Sequence, residues 1–261
     1  MNILDELADY SRLRVEVDKQ KISLAEMKAL AENSKVGDGK KFTSALQLDE
    51  LSFICEVKKA SPSKGIIAEN FPYVEIAKEY EAAGADCVSC LTEPKYFLGS
   101  DEIFKEIRAE ISTPMLRKDF TVDEYQIYQA KTMGADAVLL ICAILTAAEI
   151  ARYLELCAEL NLAAVVETHD ETEIKTAVEV GAEIIGVNNR NLKNFTVDFD
   201  NAARLRELIP SNKIYVAESG VKTSADISTL KKIGADAVLI GETLMRAVDK
   251  KSALENLRSA K

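Results

Sequence analysis

The chain has no excess of basic residues. Lys and Arg number 33 against 43 Asp and Glu, for a net charge of −10 and a sequence pI of about 4.9. That balance argues against nucleic acid or an anionic membrane as the main partner. It leaves room for an anionic small molecule, since a local cationic pocket can sit in an acidic protein. No apolar run approaches the length of a membrane span. The opening Met1-Asn2-Ile3-Leu4-Asp5-Glu6-Leu7 has neither the basic n-region nor the apolar h-region of a signal peptide. Cysteine is sparse and odd in number: five, at positions 55, 87, 90, 142 and 157. Such a set reads as free thiols in a reducing cytosol, so a cytoplasmic location is expected. Cys87-Val88-Ser89-Cys90 spells C-x-x-C. In a strand, however, i and i+3 face opposite sides, and no second pair exists, so packing is favoured over metal or redox chemistry. No metal-ligand cluster or nucleotide motif appears, and no cofactor is expected. Histidine occurs once, at His169, and tryptophan not at all.

What is present is a globular composition, 48% apolar and 29% charged, organised as a repeat. Gly84-Ala85-Asp86, Gly134-Ala135-Asp136, Gly181-Ala182-Glu183 and Gly234-Ala235-Asp236 recur at spacings of 50, 47 and 53 residues. Each reads as a helix end, with Gly at the left-handed C′ position, followed by a strand. Midway between them lie further helix-to-strand junctions, so the repeat unit is one strand plus one helix. Strands are expected at 53–58, 86–91, 114–118, 135–141, 163–168, 183–188, 213–218 and 235–240. Helices are expected near 73–83, 100–110, 123–133, 146–160, 170–180, 198–209, 223–233 and 242–258. Eight consecutive βα units favour a (β/α)8 TIM barrel over a doubly wound open sheet, which usually has fewer strands and a glycine fingerprint after the first. Residues 1–33 read as helical, with Ile3, Leu4, Leu7 and Ala8 on one face and Leu24, Met27 and Leu30 on another. Residues 33–41 read as a polar linker. The whole of 1–261 is thus expected to be one α/β domain, 1–50 an N-terminal helical extension and 51–261 the eight units.

In such a barrel the active site lies at the C-terminal ends of the strands. Strand 1 ends in Glu56 and Lys58, strand 3 in Lys118, strand 5 in Glu167 and strand 7 in Glu218. A single charge there is most simply a solvated strand terminus. Charge at the end of all four odd strands, each after an apolar interior, points instead to a ring of acid–base groups, because inward side chains of one layer come from alternate strands. Even strands end in Leu91-Thr92, Leu139-Leu140-Ile141, Asn188-Asn189-Arg190 and Ile240-Gly241. The turns Ser219-Gly220 and Gly241-Glu242, after strands 7 and 8, fit a phosphate site better, as a pair, than they fit plain tight βα turns. Pro62, Phe97, Leu139 and Leu192 are rim residues suited to an aromatic ligand with a phosphorylated tail. His169, opening a helix just past strand 5, is expected to be structural.

With these residues in place, the chain resembles the indole-3-glycerol-phosphate synthase family over nearly its whole length. The resemblance rests on Glu56-Val57-Lys58-Lys59-Ala60-Ser61-Pro62-Ser63, Leu91-Thr92-Glu93-Pro94-Lys95-Tyr96-Phe97, Arg117-Lys118-Asp119-Phe120, Gly186-Val187-Asn188-Asn189-Arg190-Asn191-Leu192 and Ala217-Glu218-Ser219-Gly220. It implies a (β/α)8 enzyme of tryptophan biosynthesis, a carboxy-lyase that needs no cofactor. It would close the ring of 1-(2-carboxyphenylamino)-1-deoxyribulose 5-phosphate with loss of carbon dioxide and water. By position, the resemblance makes Lys118 the general acid, Glu167 a proton acceptor in the dehydration and Glu56 a second carboxylate. Lys58 touches substrate anions and can donate a proton. Asn188 and Arg190 hold the substrate's hydroxyl and carboxylate ends, and Glu218 orients its neighbours. Ser61 falls at the substrate-binding loop, Phe97, Leu139 and Leu192 at the ring pocket, and Ser219, Gly220, Gly241 and Glu242 at the phosphate.

The sequence departs from the family in two places. Glu242 stands where some members have a small hydroxyl residue, so only its backbone N–H is expected to serve. No Trp is available to cover the substrate ring, and whether Tyr10 or another residue does so stays open. The 61–65 loop is a candidate mobile lid, and a monomer is favoured over a dimer. Three rival readings are a Schiff-base aldolase using Lys118 or Lys58, a phosphoribosylanthranilate isomerase and a non-catalytic phosphate-ligand binder. The first is separated by borohydride trapping, the second fits poorly because it needs fewer charged strand ends, and the third would bind without turnover.

Overall fold

The three Gly-Ala-Asp turns explain why the chain repeats. In the computed structural model, which describes residues 3–190 and 196–259, Gly84, Gly134 and Gly234 sit at φ of +80°, +81° and +70°. That left-handed conformation ends each helix at little cost only for glycine. The aspartate two residues on then reaches across to the preceding strand. Asp86 accepts from Phe53 N, Asp136 from Met115 N and Asp236 from Tyr215 N, each at 2.7 Å. These carboxylates satisfy backbone donors at the barrel's lower rim, and the strands begin just after them.

Eight parallel strands close the barrel, each paired with its sequence neighbours and the first with the last. They are β1 Ser52–Val57, β2 Cys87–Leu91, β3 Met115–Lys118, β4 Ala137–Ile141, β5 Ala163–Thr168, β6 Ile184–Asn188, β7 Ile214–Glu218 and β8 Ala237–Ile240. Alternation splits their side chains into two clusters. Ile54, Cys87, Leu116, Leu139, Val165, Ile184, Val216 and Leu239 fill the interior. Phe53, Cys55, Cys90, Met115, Leu140, Val166 and Tyr215 face the surrounding helices. Cys87 and Cys90 fall in different clusters, and burial pushes both thiols up. Packing is what they do.

The outer helices are α4 Tyr73–Ala82, α5 Asp101–Glu110, α6 Glu124–Thr132, α7 Ala147–Glu159, α8 Glu171–Glu179, α9 Asp200–Leu205 and α10 Ser224–Lys232, then α11 Glu242–Arg246 and α12 Lys250–Arg258. The single final helix expected at 242–258 is two. Ala247 is extended, and Asp249 caps α12 by accepting from Ser252 N.

The first fifty residues also differ from expectation in detail. Residues 1–33 hold two helices, α1 Ile3–Lys21 and α2 Leu24–Asn33, because Ser23 and Glu26 form a capping box that starts the second. On α2, Met27 and Ala31 are buried while Leu30 is 52% exposed. Part of the expected linker at 33–41 belongs to a third helix, α3 Gly39–Ala45, capped by Asp38. A Cβ at Gly39 would lie 2.3 Å from the backbone N of Ala163. The helix therefore packs tightly on the bottom of the barrel, and Phe42 and Leu46, both fully buried, join the interior cluster there. Helix α1 docks near the loop after β3. Ser11 Oγ donates to Phe120 O at 2.7 Å and Arg14 pairs with buried Asp119 at 2.6 Å. Leu4 and Leu7 of α1 join the interior cluster too.

Candidate active site

Among the described residues, the inward positions that end the odd strands converge. Glu56 is 4% exposed, Glu167 2% and Glu218 2%. Lys58 Nζ lies 2.5 Å from Glu56 Oε1. Lys118 Nζ donates to Glu167 Oε2 at 3.0 Å and lies 3.4 Å from Glu218 Oε2. Three carboxylates thus face two ammonium groups, one negative charge too many for a buried ring. Burial resolves the imbalance by pushing the Glu218 carboxyl up to about 8, against the pull of Lys118 and with added repulsion from Glu167 and Glu56. Burial would likewise raise Glu167, yet Lys118 and His169 more than offset it and hold Glu167 well below the usual carboxylate range. Burial alone would lower Lys118, but Glu167, Glu218 and Glu56 hold it above the ordinary ammonium value. The balance of charge and burial thus favours the carboxyl proton on Glu218 over Glu167 and keeps Lys118 an ammonium.

The even strands make room for these charges. A Cβ at Gly186 on β6 would lie 2.3 Å from Glu218 Oε1, and one at Gly241 would lie 2.4 Å from Glu56 Oε1 and 2.9 Å from Lys58 Nζ. At both positions, only glycine lets backbone and carboxylate approach this closely.

The ring opens into a cavity of about 540 Å³, the size of a small-molecule site. Its lining includes Glu56, Lys58, Ser61, Phe97, Lys118, Leu139, Glu167, Asn188, Arg190, Glu218, Ser219, Gly220, Gly241 and Glu242. Every expected site residue within the described parts of the chain is therefore on one wall or another. Leu192 lies outside the described residues. Pro62 lines the cavity as well. The apolar wall is completed by Ile3, Leu4 and Leu7 of α1 and by Phe120, whose ring centroid is 6.2 Å from that of Phe97. Leucines of α1 thus stand in this wall, where the chain offers no Trp. Tyr10 is not in the lining and lies instead near Arg14 and Lys95.

Phe97 is placed by a residue that sequence reasoning missed. Glu93 is fully buried, and its carboxylate accepts from Lys95 N, Tyr96 N and Phe97 N at 2.7–2.9 Å. The signal was a lone acidic residue before Pro94 in a loop flanked by aromatics. Opposite, Ser219 and Gly220 take φ of +67° and +96° in succession. The first of these costs about 1 kcal/mol or more for an L side chain. Asn189, 2% exposed, donates from Nδ2 to Ser219 O at 3.0 Å and helps hold that turn. The Glu242 carboxylate is engaged by Arg246 Nε at 3.1 Å and Lys64 Nζ at 3.6 Å. Arg190 Nη1 donates to Ser63 Oγ at 3.2 Å, and Arg190 N to Asn188 Oδ1 at 2.9 Å. His169, expected to be structural, touches the ring from behind, with Nε2 3.4 Å from Glu167 Oε1. Among the described residues no group of three or more His, Cys, Asp or Glu is placed to hold a metal ion.

Fold and site together define a (β/α)8 barrel enzyme with acid–base groups around a small-molecule cavity. A family model for indole-3-glycerol phosphate synthase matches residues 4–257. A protein named indole-3-glycerol phosphate synthase from Ruminiclostridium cellulolyticum is 53% identical over 258 residues, 99% of each chain. One from Lachnoclostridium phytofermentans is 44% identical, covering 98% of this chain and 99% of that one. The chain belongs to the indole-3-glycerol phosphate synthase family. It is a carboxy-lyase of tryptophan biosynthesis that acts on a phosphorylated small molecule. Solved structures of lower identity share the fold. A 3-hexulose-6-phosphate synthase superposes with a TM-score of 0.66 at 18% identity, over 80% of this chain and 99% of that one. A thiamine phosphate pyrophosphorylase from Pyrococcus furiosus superposes with a TM-score of 0.61 at 19% identity, over 80% and 95%.

Proposed function

We propose that the odd-strand ring carries out the decarboxylative ring closure and dehydration of 1-(2-carboxyphenylamino)-1-deoxyribulose 5-phosphate to indole-3-glycerol phosphate. The observation that carries this assignment of roles is Lys118, held as an ammonium between Glu167 and Glu218 on the cavity wall. Lys118 donates a proton to the carbonyl oxygen as the substrate's ring carbon attacks it. An alkoxide is a stronger base than an amine, so the transfer runs downhill even from a lysine held above its ordinary value. Electrons of the breaking C–C bond to the carboxylate restore the aromatic ring as carbon dioxide leaves. In the dehydration, ionised Glu167 accepts a proton while Lys58, paired with Glu56, donates to the departing hydroxyl. Because a carboxylate is lost as carbon dioxide and a hydroxyl as water, one proton is taken up per turnover. Glu218, by retaining its own proton, leaves Lys118 with one full counter-charge rather than two, so its positive field stays available to the developing oxyanion.

The substrate's two ends match the two sides of the cavity. The anthranilate ring packs among Phe97, Phe120, Leu139 and Leu4, and Arg190 meets its carboxylate as a planar fork. The phosphate takes the Ser219–Gly220 and Gly241–Glu242 turns, where glycine backbone allows close approach and Lys58 is near. Glu242 contributes backbone only, since Arg246 and Lys64 occupy its carboxylate. Ser61 and Asn188 contact the tail. The loop at 61–65, a short hairpin pairing Ala60–Ser61 with Gly65–Ile66, closes over the bound ligand. The thiols and the biosynthetic role support a cytoplasmic enzyme.

Lys118 flanked by carboxylates is poorly suited to attack as a free amine, which argues against a Schiff-base aldolase. The experiment is to supply the substrate and follow indole fluorescence, with cyanoborohydride present to reduce any iminium while sparing the substrate's ketone. Turnover without a covalent adduct is expected, whereas a trapped adduct on Lys118 or Lys58 would replace this reading with the aldolase.

A further inference from the structure

His169 is the chain's only histidine, and nothing in the mechanism above uses it. It follows Glu167 by two residues on the end of β5, and its ring is pinned from the side away from the cavity. Backbone N of His169 donates to Glu173 Oε2 at 2.8 Å, and ring Nδ1 lies 3.0 Å from the same oxygen. Asn201 Nδ2 on α9 donates to His169 O at 3.2 Å. With Nδ1 committed to a carboxylate, Nε2 is left facing Glu167 Oε1 at 3.4 Å, too poorly aligned for a full hydrogen bond and without another partner among the described residues. The other Glu167 oxygen receives Lys118. The result is a linear array of alternating groups: Lys118, Glu167, His169, Glu173.

We propose that His169 is a positioning residue for the reaction, an imidazolium clamped between Glu173 and Glu167 that keeps Glu167 ionised and turned toward Lys118. The proposal rests on the reading of Glu167 as proton acceptor. Two carboxylates flank the ring, one on each nitrogen, and an imidazolium satisfies both with N–H donors whereas a neutral ring satisfies only one. The charged groups in contact with its ring are Glu167 from β5 and Glu173 from α8, and Asp5 of α1 and Asp170, the N-cap of α8, line the same cavity as His169. Asp198, Arg190 and Arg204 share the cavity of about 520 Å³ behind it. Carboxylates dominate at contact distance. Burial alone would lower His169, but hydrogen bonding to Glu173 and attraction to Glu167 and Glu173 raise it to about 10.

A lone histidine gives a single imidazole resonance, which makes the test direct. In the substrate-free protein the imidazole Cε1–H signal is expected to stay at its imidazolium position through about pH 8, against titration near 6.5 for an ordinary histidine. Glu173→Gln is expected to bring that titration down by about one pH unit. In kinetics, His169→Asn keeps a donor to Glu173 but cannot reach Glu167. Its kcat is expected to fall about tenfold, with KM changing less than threefold. His169→Gln, which reaches toward Glu167, is expected to recover part of kcat. A resonance that titrates near 6.5 in the parent protein overturns the proposal. So does a His169→Asn kcat within twofold of the parent, and the unmoved titration of His169 in Glu173→Gln does the same should His169→Asn fail to fold. A Glu167→Gln variant with parental kcat would instead refute the role of Glu167 on which the proposal rests.

Discussion

The two ends of the barrel are built from the same repeat and solve opposite problems. At the bottom, charge serves the backbone: Asp86, Asp136 and Asp236 each accept a strand N–H, and Phe42 of α3 and Leu46 just after it plug the interior. At the top, Glu56, Lys58, Lys118, Glu167 and Glu218 crowd a cavity with their charges turned toward one another and toward space for a ligand. Glu218 Oε1 has no hydrogen-bond partner among the described residues. The bottom spends its carboxylates on backbone N–H groups; the top turns its charges toward space that a substrate can fill. Even strands reinforce the contrast, because Gly186 and Gly241 sacrifice side-chain packing to admit carboxylates at the top.

If this division is right, substitutions at the two ends should separate cleanly in kinetics and in melting. Lys118→Ala should have the largest kinetic effect, lowering kcat about 10³-fold through loss of both the proton donor and the oxyanion's positive field. Gly186→Ala comes next. Its methyl would displace Glu218 and disturb Lys118, costing about 10²-fold in kcat, a size expected for ångström-scale misplacement. Ser219→Ala should raise KM several-fold by removing one hydroxyl from the phosphate turn while leaving kcat within about twofold. Phe42→Ala should leave kcat unchanged yet destabilise the fold by about 3–5 kcal/mol, seen as a lower midpoint in denaturant. Equal losses of kcat at Phe42 and Lys118 would break the comparison.

A pH series sharpens it further. Glu218 is raised to about 8 in the folded chain from an ordinary value of 4.5. The folded state therefore holds this proton more tightly than the unfolded chain does. The stability it contributes is fully present below pH 4.5 and is lost as pH rises through about 8. Glu218→Gln cannot ionise, so its melting temperature relative to the parent should climb between about pH 5 and pH 9. A difference that stays flat would mean that Glu218 does not carry the proton.

Much of this architecture was legible in the sequence, for physical reasons that differ by residue. The Gly-Ala-Asp turns could be read because only glycine ends a helix this way cheaply. The odd-strand charges could be read because strand alternation and barrel layering are both period two, so Glu56, Lys118, Glu167 and Glu218 had to share a face. What escaped depends on contacts distant in sequence. Gly39 looked like a linker glycine, but its freedom is used to pack α3 against Ala163. Leu30 fitted a helical face that α2 turns to solvent, since Met27 and Ala31 already meet the barrel. Leu4 and Leu7 were visible as an apolar face but not as the cover of a cavity, because nothing local says where a helix end docks. Glu93 and His169 carry no motif of their own. Their importance comes from burial beside Phe97 and Glu167, and burial is a property of the fold.

The most direct test of the account is a single turnover of the carboxyphenylamino-deoxyribulose phosphate by the Lys118→Ala protein, with binding and indole formation recorded together. The account predicts that substrate binds with near-parental affinity while indole appears about 10³-fold more slowly. Indole formation at a near-parental rate would show that the ring at the top of the barrel does not do the chemistry assigned to it.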